Sequence, residues 1–180
     1  LFINAVADGT IDMTRYTKRQ PQSAGFAGFD VIVDANFTDI SPVGGNGIAT
    51  YSTIQAAIDA APGTAPYYIF IKKGTYEGHV QIDKPNVHLT GQSKENTIIT
   101  WNRLHNEAGG NVNTNATMNV TAHDVSLDNL TIRNTRQAEG QALALYTKAD
   151  RVSITSCNLE GWQDTYRTGT RGQRHIVRNS

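Results

Sequence analysis

The most restrictive feature of the chain is a strand-and-turn unit that returns about every twenty-odd residues: "NVHLTGQSKENTII", then "DVSLDNLTIRNT", then "RVSITSCNLEG". Within each unit Val, Ile, Leu and Thr alternate with polar residues over short runs, the two-residue period of strands with one buried face. Gly, Asn, Asp and Lys separate the runs. After Pro62-Gly63 no Asn-Gly or Asp-Gly pair joins any two of them, so tight hairpins are not signalled. A unit too small to bury its own apolar face gains a core by stacking on a copy of itself. The pattern therefore predicts an all-β fold, a right-handed parallel β-helix. Its inward residues stack as aliphatic ladders, and Asn or Thr at the turns bond to the next rung. A sandwich of antiparallel strands is the competing arrangement.

One helix interrupts the strands, in "TYSTIQAAIDAAPG". Ser52 and Gln55 stand at capping-box spacing, and Ile54, Ala57, Ile58 and Ala61 recur on one face. Pro62 and Gly63 end it. The expected helix, 52–61, covers the first rung, which would otherwise offer unpaired backbone groups. Residues 1–30 carry no period and read as an irregular arm; "DVIVDANF" then reads as a short strand and "SPVGGNGIA" as a loop. The β-helix domain is expected over 31–180.

Composition narrows the function classes. Sixteen Lys and Arg balance sixteen Asp and Glu, which argues against binding nucleic acid through its phosphates. Charged residues are 18% of the chain, and the plentiful Asn, Thr, Gly, Gln and Ser suit a neutral, hydroxylated partner such as carbohydrate. The longest apolar runs, such as "YYIFI", fall far short of the roughly 18 residues of a membrane span. Cys157 is the single cysteine, so no internal disulfide forms, and a buried small hydrophobe is the ordinary reading for it.

Several familiar chemistries fail on spacing. "GQSKE" has Glu95 where a nucleophile elbow needs its closing Gly. "GGNGIA" lacks the context of a dinucleotide loop. The histidines at 79, 88, 105, 123 and 175 show no zinc-ligand spacing. Asp124 and Asp128 flank "VSL" and read as a solvated strand edge. "EGWQDTY" differs in kind. A carboxylate, Asp164, stands beside an amide, Gln163, that can donate to an oxyanion at no cost in charge, and Trp162 and Tyr166 are rings able to stack on a sugar. On these residues alone a turn carboxylate is the commoner arrangement.

In order and near-spacing, "YSTIQAAIDAAP", "YIFIKKGTYEGHVQI", "GQSKENTIITW", "NATMNV", "LTIRNT", "GQALALYTKADRVSITSCNLEGWQDTY" and "RHIVRNS" resemble the pectin methylesterases. The likeness covers 50–180 well and 30–49 loosely. "QALAL" followed by "GWQDT" is its specific part, whereas the "TIQAAIDAAP" and "KKGTYEG" pieces are shared among parallel β-helix proteins more widely.

The resemblance implies hydrolysis of methyl esters of polygalacturonate by two aspartates without metal or cofactor. One Asp attacks the ester carbonyl; a second protonates departing methanol and later activates water; two glutamines stabilise the tetrahedral anion. Asp164 matches the proton donor, Gln163 and Gln141 the two amides, and Gln141 also touches substrate. Trp162, Tyr166 and Thr114 are further candidates for substrate contact. Thr114 enters because Val112 occupies the family's threonine position. The family's nucleophile and its substrate-gripping Arg fall beyond Ser180. The "QDTLY" pattern loses its Leu, which leaves Tyr166 one place early. Cys157 sits where many members have a bridged cysteine, and Ser180 at its partner's position. The expectation is an incomplete coil, inactive alone, whose 174–180 edge is covered by the remaining rungs or another chain. Pectin as partner implies action outside the cell or in the periplasm. The alternatives are a non-catalytic carbohydrate-binding coil and a pectate-type lyase needing clustered carboxylates for Ca²⁺.

Overall fold

The computed structural model describes residues 28–38, 47–136 and 140–180, with the backbone of 4–5 and 11–12. Most of the expected arm and Ser41–Asn46 of the expected loop lie outside the described residues. Within the arm, β1 (Asn4–Ala5) and β2 (Ile11–Asp12) form a short antiparallel ladder. The chain then runs through β3 (Val31–Val33), β4 (Ala49–Tyr51) and helix α1 (Ile54–Asp59).

From there it winds. The first rung holds β5 (Tyr67–Ile71), β6 (Gly74–Glu77) and β7 (Val80–Ile82). The second holds β8 (Val87–Gly91), β9 (Thr97–Trp101), the short helix α2 (Val112–Asn115) and β10 (Met118–Val120). The third holds β11 (Val125–Asp128), β12 (Thr131–Asn134) and β13 (Leu145–Thr147). The fourth holds β14 (Val152–Thr155), β15 (Asn158–Glu160) and β16 (Tyr166–Thr168), and β17 (His175–Arg178) opens a fifth. Equivalent strands stack into three sheets, ordered β4-β3-β5-β8-β11-β14-β17, β6-β9-β12-β15 and β7-β10-β13-β16. Every pairing in them is parallel. The fold is a parallel β-helix, and the sandwich is excluded.

Register gives the core its order. Val31, Ile69, Leu89, Leu127, Ile154 and Val177 stand one above another in the first sheet. Tyr76, Ile99, Ile132 and Leu159 do so in the second; Val80, Met118, Leu145 and Tyr166 do so in the third. A parallel ladder with no shift places like side chains in contact on every rung, so aliphatic residues pack without gaps.

The corners of the coil are made by single left-handed residues. Asn86, Asp124 and Arg151 precede successive strands of the first sheet, with φ of 63, 60 and 58°. Asn129, Ser156 and Asn179 follow its strands, with φ of 57, 53 and 52°. Asn and Asp tolerate this conformation, because their short polar side chains bond locally. Asn129 shows how: its amide donates to the carbonyls of Gly91 and Gln92 on the rung before, and its oxygen accepts from the Lys94 N–H. "VSLDNLTIRNT", which reads as one strand, is therefore two strands broken at this corner. Arg151 is held by its guanidinium, which meets the carboxylates of Asp124 and Asp150. Arg174 on the next rung also donates to Asp150, through its backbone N–H at 2.8 Å and its side chain. Asp124 is thus ion-paired at a corner, and Asp128, at 8% exposed, lies in register with Thr90 and Thr155 in mid-sheet. The solvated edge expected for the two is corrected: the seven-stranded sheet continues on both sides of them.

Helix α1 closes the first end of the coil. Ile54, Ala57 and Ile58 are buried in the main core with Ala61. The expected capping box is corrected: the N-cap is Thr53, whose hydroxyl accepts from the Ala56 N–H at 3.3 Å. Gln55 is drawn off to a different task. Its Oε1 accepts from the Gln81 N–H at 2.9 Å and its Nε2 donates to the Gln81 carbonyl at 3.2 Å. One side-chain amide thereby stands in for a neighbouring strand at the edge of β7. Lys84 Nζ closes the other end of the helix by donating to the carbonyls of Asp59 and Ala61.

Two outcomes are expected. Gln55→Ala leaves the Gln81 backbone pair unmet and should lower unfolding free energy by about 1–3 kcal/mol in a urea titration. Asp124 and Asp150 are held below the ordinary carboxylate value of 3.8, chiefly by hydrogen bonds from Arg151 and Arg174 respectively. A depressed folded value gives stability that is fully present above the unfolded value and drains away as pH falls towards the folded one. The urea midpoint should therefore fall on acidification below about pH 5, and less steeply in Asp150→Asn.

Candidate active site

The described residues of three successive connections between the second and third sheets, 102–117, 135–136 with 140–144, and 161–165, are hydrogen-bonded each to the next. The first folds around Asn115, which is buried; its amide donates to the carbonyls of Leu104, His105 and Glu107 at 2.6, 3.0 and 3.1 Å. The His105 N–H then donates to the Gln141 carbonyl at 2.7 Å, which fastens this connection to the next. Asn134, which ends β12, donates to the carbonyls of Arg103 and Leu143. Ala116, Leu143 and Tyr146 form a small apolar cluster beneath it.

The third connection carries "GWQDT". Trp162 and Ala142 exchange both backbone hydrogen bonds, at 2.7 and 3.1 Å, as an isolated antiparallel bridge. Thr165 accepts from the N–H groups of Ala144 and Leu145. Between these anchors Gln163 and Asp164 are both left-handed, with φ of 50 and 54°. Two adjacent non-glycine residues in this region store strain that the anchors on either side must hold. The turn brings the Asp164 carboxylate back over the preceding rung: Gln141 Nε2 donates to Asp164 Oδ2 at 2.8 Å. Arg167 Nη1 lies 3.6 Å from the same oxygen.

Gln141 and Asp164 thus meet across two rungs, and Gln163 is the exposed residue before Asp164 in the same turn. Trp162 is 52% exposed beside them. One expected contact falls elsewhere. Tyr166 does not face this surface: its ring packs against the main core in register with Leu145, and its hydroxyl meets His175 Nδ1 at 2.9 Å and Thr147 Oγ1 at 3.2 Å. Burial raises its phenol above the ordinary value of 10.0. Thr114 is exposed, and its hydroxyl is taken up by both backbone groups of Asn111. Arg167 went unnoticed in the sequence; strand alternation after an inward Tyr166 is the signal that places it outward. Cys157 is fully buried, which pushes its thiol up to about 11, and its backbone N–H donates to Ser180 Oγ at 3.1 Å. Among the described residues no three His, Cys, Asp or Glu gather as a metal ligand set, and no helix is long and apolar enough to cross a membrane.

The pectinesterase family model matches residues 41–179. The chain belongs to the pectinesterase family. A pectinesterase of Petunia integrifolia is 36% identical over 125 residues, covering 67% of this chain and 33% of that protein. A solved pectin methylesterase from Aspergillus niger superposes with TM-score 0.69 at 26% identity, over 85% of this chain and 49% of that one. Another, solved in complex with a hexasaccharide, gives TM-score 0.65 at 27% identity, over 78% of this chain and 45% of that one. The chain therefore spans less than half the length of these pectinesterases.

In this pectinesterase chain Gly161 sets the approach of the third connection. A Cβ there would stand 2.4 Å from the Ala142 carbonyl oxygen, a backbone atom that cannot move aside without breaking the bridge. Gly161→Ala should break the Ala142–Trp162 bridge while leaving the rungs folded. Faster amide hydrogen exchange at Ala142 and Trp162, with protection of Leu127 and Ile154 retained, is the expected readout.

Proposed function

We propose that the complete protein carrying this chain hydrolyses methyl esters of pectin outside the cell, and that this chain supplies the proton donor and two oxyanion amides. The observation that carries the reading is the 2.8 Å hydrogen bond from Gln141 to Asp164 across neighbouring rungs. Gln141 and Arg167 both address Oδ2.

The chemistry runs in two halves. A carboxylate from a rung beyond β17 attacks the ester carbonyl, and its electron pair moves onto the carbonyl oxygen. Amide N–H groups of Gln141 and Gln163 donate to that anion, at a point where charge develops and without a charge of their own. The anion collapses, the bond to the methoxy oxygen breaks, and Asp164 gives that oxygen its proton, releasing methanol. Asp164, now ionised, takes a proton from water as the water attacks the acyl carbon; the bond from that carbon to the nucleophile's oxygen breaks, which restores the nucleophile's carboxylate and frees the galacturonate acid. Trp162 offers an exposed face for a sugar ring.

The missing nucleophile fits the state of the last rung. Leu159 and Tyr166 are only partly buried and Val177 is 47% exposed, although all three continue ladders that are buried on the rungs before. β15, β16 and β17 form the open edge, on which further rungs, or another chain, pack.

Methanol release by the complete protein tests the reading. Asp164→Asn should lower kcat on methyl-esterified pectin by at least about a hundredfold, with no requirement for Ca²⁺ in the parent. An unchanged rate in that variant supports a non-catalytic binding coil instead, and Ca²⁺-dependent cleavage of the polymer without methanol supports a lyase.

A further inference from the structure

Three inward ladders that begin aliphatic turn polar near one corner of the coil, between the third and first sheets. Val80, Met118 and Leu145 lead to Tyr166. Ile82 and Val120 lead to Thr147, and Val125 and Val152 lead to His175. The polar atoms of the three satisfy one another. His175 Nε2 lies 2.7 Å from the Ala149 carbonyl, which can only accept, so Nε2 carries a hydrogen. In the neutral ring Nδ1 then accepts, and the Tyr166 hydroxyl donates to it at 2.9 Å. The Thr147 hydroxyl, 3.2 Å from the phenol oxygen, donates in its turn. Thr147 is fully buried, so each bond in this chain is costly to leave unmade.

The chain of bonds joins two strands on either side of the corner. Tyr166 opens β16, two residues after Asp164, and His175 opens β17 on the next rung. Gln163 and Asp164 are a strained left-handed pair that must be held from both ends. The Ala142–Trp162 bridge holds one end. At the other, the Thr165 carbonyl accepts from Ala144 and Leu145, and the Tyr166 side chain follows at once. An apolar residue at 166 would fill the ladder but could not make this link.

We propose that Tyr166 and His175 are positioning residues for Asp164: their hydrogen bond inside the coil fastens the 161–165 turn to β17, so that the carboxylate and the rung after it are set as one body. The role in catalysis rests on the reading of Asp164 as proton donor given above. Neither residue touches substrate; both act through the backbone of the turn.

The test has two arms. In the 180-residue chain, NMR follows the side-chain amide protons of Gln141, which the bond to Asp164 displaces and protects. Tyr166→Phe keeps the ring and removes only the hydroxyl; it should move those resonances most of the way to their position in Asp164→Ala, with amide protection of Leu127 and Ile154 retained. His175→Ala should do the same. His175→Gln, which offers one donor and one acceptor, should restore the parent spectrum. In the complete protein, Tyr166→Phe and His175→Ala should lower kcat for methanol release about tenfold with KM changed by less than about twofold, and His175→Gln should keep most of the rate. Asp164→Asn reports separately on the esterase reading: an unaltered rate there removes that reading, and the Gln141 resonances then decide the positioning role alone. Gln141 resonances unmoved by Tyr166→Phe, protection lost throughout the coil, or a His175→Gln variant no better than His175→Ala would overturn the proposal.

Discussion

Everything in this molecule depends on stacking without slippage. A parallel ladder shifted by one residue would turn its inward side chains out, and Leu127 would no longer lie between Leu89 and Ile154. The corners enforce the register. Each left-handed residue changes the chain's direction in one step, and Asn129 bonds to the rung before it. The site is a by-product of that order. Gln141 and Asp164 belong to consecutive connections, and they meet because the strands leading into them are in register.

The repeat could be read in the sequence because most inward positions are aliphatic and corners favour Asn, Asp and Ser. What escaped was local competition for the same groups. Gln55 has capping-box spacing but spends its amide on the edge of β7, a demand that only the folded coil creates. The break inside "VSLDNLTIRNT" is hidden because Leu130 and Ile132 resume the apolar alternation directly after the corner.

At the site, Asp164, Gln163 and Gln141 were legible as residue types suited to acid and amide chemistry, and the family resemblance singled them out. The directions of Tyr166 and Arg167 were not. β16 is three residues long and follows two left-handed residues, so its phase cannot be counted from the strand before. The fold turns the aromatic ring in, to continue the stack above Leu145, and turns the cation out beside the carboxylate.

The claim at the centre is that Gln141 and Asp164 act as one unit across two rungs. A double-mutant cycle on kcat/KM for methanol release in the complete protein, with Gln141→Ala, Asp164→Asn and the pair, measures this directly. The account predicts that the double variant loses little more than the worse single one. Losses that multiply in full, as for two residues that never touch, would contradict it.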